Sequence, residues 1–186
     1  MGMTTTSRLG TLGVALCMIA VGASAQTASA PAAPAASTSS KLAHADSAFI
    51  KDAAEAGNFE VEESQLALSR TSNAQVKSFA QQMVDDHTKA GQELAGLAQS
   101  KGVKVSDKPS MAQRAKIDLL KTHKDGFDKN YAESQANAHD SVVKMFRKEA
   151  SEGKDADVKA WAAKTLPTLE HHQQMAQELK TATAGK

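Results

Sequence analysis

The chain has 186 residues, with 22 Lys or Arg against 21 Asp or Glu and a formal net charge of +1. So even a balance carries no electrostatic footprint for nucleic acid, and one cysteine excludes both an internal disulfide and a multi-thiolate metal site. Aromatic residues make up only 4%, while Ala, Gln, Lys, Glu and Leu dominate, which favours helix nearly throughout.

At the N-terminus, Arg8 precedes an apolar run from Leu9 to Gly22 that ends in Ala23-Ser24-Ala25, a small-x-small pattern. This reads as a secretory signal peptide over residues 1–25, cut after Ala25, with a second cleavage position after Ala30. The run is too short and too rich in glycine to span a membrane. Leu16 before Cys17 is too bulky for lipoprotein processing. Cleavage removes Arg8 and Cys17, so the expected mature chain is neutral, has no cysteine and has no segment that crosses or lies in a membrane. Its expected destination is the periplasm, or secretion from a bacterial cell. Residues 26–41 are Ala, Pro, Ser and Thr with almost no large side chain, the composition of a disordered linker. Residues 42–184 are then one domain, long enough to bury a core.

Punctuation divides that domain. A first long helix runs from about Asp46, a candidate N-cap, to Arg70. Thr71-Ser72-Asn73 turns the chain and caps a second, which stops at Gly102. Pro109 precedes a short helix over Met111 to His123, broken by Asp125-Gly126. A third long helix ends at Gly153, and Asp155 caps a fourth that reaches about Thr181, with Pro167 expected to kink it or loosen one turn. The two short turns make two hairpins. The roughly 22-residue link between them can travel the length of a bundle and set the second and third long helices parallel. The expected fold is all-α: a ferritin-like antiparallel four-helix bundle whose long crossover carries a short extra helix.

At 100° per residue each long helix places one metal-ligand-type residue on its apolar face. Glu60 falls in the sector of Phe49, Ala53, Ala56 and Ala67, with Glu63 at the flank. His87 is central to Val76, Phe79, Ala80, Met83 and Leu94, with Asp86 at the edge. His139 shares a broader face with Tyr131, Gln135, Val142 and Phe146, and His172 lies among Val158, Ala162, Leu169, Ala176 and Leu179. A rise of about 1.5 Å per residue brings all four near mid-bundle. Their neighbours read differently: His171 faces away, His44 and His123 sit near element ends in solvent, Trp161 is a core anchor, and Met83 and Met145 fill core.

A buried carboxylate or imidazole without a partner is costly, so Glu60, His87, His139 and His172 must satisfy one another, hold water or bind an ion. Three nitrogens and one oxygen suit a single transition-metal ion: zinc, copper or iron. Used in full, such a set is closed and structural. The alternative is a buried hydrogen-bonded network, Glu60 to His87 and His139 to His172, completed by Asp86 and Tyr131, that fixes helix register. No catalytic residue is assigned: there is no defensible Ser-His-Asp set and no phosphate-binding glycine loop. Two functions follow, a metal-binding bundle of the cell envelope, or a structural or interaction module with an envelope protein partner or a second copy of itself.

Phe59-Glu60-Val61, Phe79-Ala80-Gln81-Gln82-Met83-Val84-Asp85-Asp86-His87, Phe127-Asp128-Lys129-Asn130-Tyr131 with His139, and Thr165-Leu166-Pro167-Thr168-Leu169 with His172 resemble the landmarks of the domain-of-unknown-function 4142 family. The resemblance covers nearly all of the chain after the linker. It implies an exported bacterial protein with a ferritin-like four-helix fold, with polar landmarks at Glu60, Asp86, His87, Tyr131, His139 and His172, and it implies little about activity. Di-iron proteins of that fold carry Glu-x-x-His on two helices. Here Val84, Ala136 and Leu169 stand three residues before His87, His139 and His172, so a carboxylate-bridged di-iron centre is not expected.

Overall fold

The structure is a computed structural model and describes residues 42–185. The signal peptide and linker expected over residues 1–41 lie outside the described residues. Five helices follow in order: α1 His44–Arg70, α2 Ala74–Ser100, α3 Met111–Thr122, α4 Phe127–Glu152 and α5 Ala156–Thr183. Among the described residues there is no strand, and no helix is long and apolar enough to cross a membrane.

Local chemistry explains most of the boundaries. The Asn73 side chain accepts from Gln75 N at 2.9 Å to start α2, and Gly102, at φ 67°, turns the chain out of it. Ser110 and Gln113 form a reciprocal capping box at the head of α3, one residue beyond the proline that drew notice in the sequence. Asp155 Oδ1 accepts from Asp157 N and Val158 N to cap α5. Asp46 departs from its expected role. α1 begins earlier, with Ala43 at the N-cap position and no side-chain cap. Asp46 is instead buried and accepts from the backbone N–H groups of Lys154 and Asp155 at 3.1 and 2.6 Å. Its carboxylate is worth more on donors stranded in the α4–α5 turn than on its own helix. α5 continues without a break through Pro167. Pro167 and Ala163, whose carbonyl loses its partner, are both exposed, so the freed group meets water.

α1 packs along α2 and α4 along α5, with further contacts of α1 to α4 and α2 to α5. The Arg70 guanidinium, ending α1, donates to the carbonyls of Lys121 and His123 at 2.7 and 2.6 Å and lies 4.6 Å over the Phe127 ring that opens α4. At the end of α2, the Lys101 ammonium pairs with Asp155 and Asp157 at the start of α5, at 2.8 and 2.6 Å.

The apolar core is divided in two. One cluster includes Phe49, Ile50, Leu94, Val143, Phe146, Val158 and Leu169, with Phe49, Phe146 and Trp161 packed edge-on or tilted at centroid distances of 5.0–6.0 Å. The other includes Ala67, Val76, Phe79, Met83, Tyr131, Ala136, Ala176 and Leu179. On every long helix the core-facing polar residue, Glu60, His87, His139 or His172, falls in sequence between the segment given to one cluster and the segment given to the other. A polar layer therefore separates two greasy ones.

Candidate metal centre

α2, α4 and α5 each contribute one imidazole to that layer, because each carries its histidine in the middle of an apolar stripe that packing turns inward. His87, His139 and His172 are 7%, 0% and 1% exposed. Their centroids stand 5.6 Å (87 to 139), 5.3 Å (87 to 172) and 5.6 Å (139 to 172) apart. One ring nitrogen from each lies within 4.8 Å of the other two.

Two of the rings are held from behind. His139 Nδ1 is 3.0 Å from the Gln135 carbonyl, which can only accept, so Nδ1 carries the proton and Nε2 keeps a lone pair. His172 Nε2 is 2.9 Å from Asp86 Oδ2, and donation to that carboxylate leaves the lone pair on Nδ1. The remaining nitrogens, His139 Nε2 and His172 Nδ1, are buried with no hydrogen-bond partner among the described residues, and so is His87 Nε2. A ring nitrogen fixed by a carboxylate or carbonyl while its opposite nitrogen faces a common space is the usual arrangement around a metal-binding histidine.

The electrostatics favour neutral rings. Burial, then the imidazoles of His139 and His172, hold His87 well below the ordinary histidine range. Burial also lowers His139, against the pull of the Gln135 carbonyl. His172 is lowered to about 4, burial outweighing the nearby Asp86. Neutral imidazole is the form that ligates.

Glu60 on α1 is 1% exposed, and neither of its oxygens has a partner among the described residues. Burial raises it to about 8, with Gln135 and Lys116 opposing. It is not among the atoms gathered within 4.8 Å, although it lines the same cavity as His87. Of the four residues singled out in the sequence, all are buried and three come together. The alternative pairing, Glu60 to His87 and His139 to His172, is not formed: no hydrogen bond joins Glu60 to His87, His172 meets Asp86 and His139 the Gln135 carbonyl, and Tyr131 Oη bonds Ser64 Oγ at 2.8 Å.

One residue read from the sequence as flanking the apolar face joins the polar layer. Glu63 is fully buried and accepts from Ser134 Oγ and Gln135 Nε2, both at 2.7 Å. Burial raises it to about 7, against the Ser134 hydroxyl. The available signal is its spacing, three residues beyond Glu60 on the same helical side. Gln135 thus holds Glu63 with its side chain and His139 with its backbone.

No curated protein and no solved structure matches the chain. The model of the family described as Domain of unknown function (DUF4142) does match, over residues 30–179. That span holds every residue of the polar layer, and the chain belongs to this family.

Proposed function

We propose that this is an exported protein of the bacterial cell envelope that binds one transition-metal ion in the middle of a ferritin-like four-helix bundle. His87, His139 and His172 are the ligands, and Glu60 stands beside them as the group that can close or leave open the fourth position. The bundle reading is supported at the helix ends. The end of α1 lies over Phe127 at the start of α4 and the end of α2 meets the start of α5, which supports α2 running parallel to α4. The segment carrying α3 then serves as the crossover. Export rests on the residues 1–25 alone and is tested by the N-terminal sequence of the mature protein.

One observation carries the metal reading: three buried imidazoles bring one nitrogen each within 4.8 Å of the others, each ring has a buried nitrogen with no partner among the described residues, and the opposite nitrogens of two rings are fixed. A network kept only for packing would pair those atoms, because each buried unsatisfied group costs about 1–3 kcal/mol. Three neutral imidazoles select zinc, copper or iron over calcium or magnesium. The test is elemental analysis of protein purified without a histidine tag or chelator, followed by titration with zinc, copper(I) and iron(II). The expected result is about one ion per chain, lost in His139→Ala and His172→Ala while far-ultraviolet circular dichroism still reports helix. Wild-type protein that carries no ion and takes up none would end this reading and leave the layer as packing.

A further inference from the structure

A cavity of about 450 Å³ runs from the polar layer toward the surface between α1 and α2. The segment with Val105, Ser106 and Asp107 forms its rim, pinned where Asn58 Nδ2 donates to the Ser106 carbonyl at 3.0 Å. Its walls are mainly aliphatic, with Phe146 and Trp161 as the aromatic part.

Two features separate this space from a packing fault. Three of its lining residues hold buried polar atoms with no partner among the described residues: both oxygens of Glu60, His87 Nε2 and Trp161 Nε1. An indole N–H can only donate; the Glu93 carboxylate, held by Lys164 at 2.8 Å, lies near Trp161, yet Nε1 makes no well-formed hydrogen bond among the described residues and can take an acceptor from a ligand. In addition, Gly57 and Gly91 line the cavity from helix interiors, where glycine costs roughly 0.5–1 kcal/mol relative to alanine. Neither needs to be glycine for its backbone, and a Cβ on either would meet nothing within 4 Å. Their missing side chains keep the space open.

The lining also defines the ligand. Among the described residues its acids are Glu60 and Asp107, and no Lys or Arg lines it, so a carboxylate or phosphate would find no counter-charge. A mostly apolar pocket of this size with a few polar groups is the ordinary form of a small-molecule site. We infer that the cavity binds an uncharged, largely apolar small molecule carrying a hydroxyl or carbonyl oxygen, which accepts from Trp161 Nε1 and bonds Glu60. The inference does not depend on metal and is tested without it.

Trp161 is the one tryptophan of the chain, so its fluorescence reports the cavity directly. Metal-free protein, kept in chelator, is titrated with 1-naphthol, naphthalene and 1-naphthoate. The expected result is saturable binding of 1-naphthol at one per chain, about tenfold tighter than naphthalene, one hydrogen bond's worth, with no saturation by 1-naphthoate. Gly57→Leu and Gly91→Leu fill the space from helix positions that favour leucine, and each should weaken 1-naphthol at least tenfold while melting no lower than wild type. Trp161→Phe, followed by calorimetry, should narrow the preference for 1-naphthol over naphthalene, the bond to Glu60 remaining. Failure of 1-naphthol to saturate the metal-free protein, equal binding of 1-naphthoate, or indifference to both leucine variants would each overturn the inference. None of these outcomes bears on whether the three imidazoles take up an ion.

Discussion

Asp86 and Gln135 decide which nitrogen of His172 and which of His139 remains free, and so decide what the layer can hold. Asp86 lies part-way to solvent, yet its Oδ2 meets a ring that is 1% exposed. Asp86→Asn preserves the shape of that contact and removes the charge that makes the imidazole a better ligand. Metal affinity should fall about 10- to 100-fold, measured by competition with a chromophoric chelator, with helix content unchanged. Equal affinity in wild type and variant would reduce Asp86 to a surface acceptor. At this scale the four core-facing residues were legible because periodicity reports which face a side chain occupies. Their mutual distances were not, since these depend on how the helices rotate and slide. Glu63 and Asp86 sit at stripe edges, where a few tens of degrees of rotation separate a buried group from a wet one, and angle alone could not settle them.

Helix boundaries were more legible than partners. Asn73, Gly102, Gly126 and Asp155 act within a few residues of themselves, so their signals survive in the sequence. Asp46 does not: its backbone donors lie more than a hundred positions along the chain, and nothing local to it announces them. The glycines offer a test of this distinction. Gly126 leads into α4 at φ 67°, and a Cβ there would have only Asn130 Nδ2 nearby, at 3.6 Å. Gly126→Ala therefore meets strain rather than a clash and should lose about 1–2 kcal/mol in urea unfolding. Gly57→Ala, inside α1, should instead be neutral or gain up to about 1 kcal/mol. The reverse order would mean that the α3–α4 turn does not hold the left-handed backbone that α4 starts from.

Dividing the core with a polar layer makes the stability of the whole molecule depend on pH. Among the described residues Glu63 has no cation in contact: Ser134 and Gln135 hydrogen-bond it, Glu60 repels it, and Lys116 attracts it from a distance. Burial lifts it from 4.5 to about 7, so the folded state binds this proton more tightly than the unfolded one. Its contribution is fully present below about 4.5 and is lost as pH climbs to about 7. Glu149, at the other end of α4, is raised in the same direction, by burial and then by the Asp46 carboxylate, with Asp155 adding and Lys159 opposing. The imidazoles shift the opposite way, so an absolute melting curve mixes the two. Comparing a variant with wild type at each pH isolates a single carboxyl. In Glu63→Gln the Gln135 amide can turn its unpartnered oxygen to the new amide N–H, so the site stays satisfied. Against metal-free wild type, the variant should melt at nearly the same temperature near pH 4.5 and roughly 5 °C higher by pH 7.5. Glu149→Gln should diverge with the same sign. A difference that stays flat across that range would mean both carboxyls ionise as freely in the folded protein as in the unfolded chain. The polar layer would then be open to water, and the partnerless nitrogens beside Glu60 would no longer need an ion to explain them.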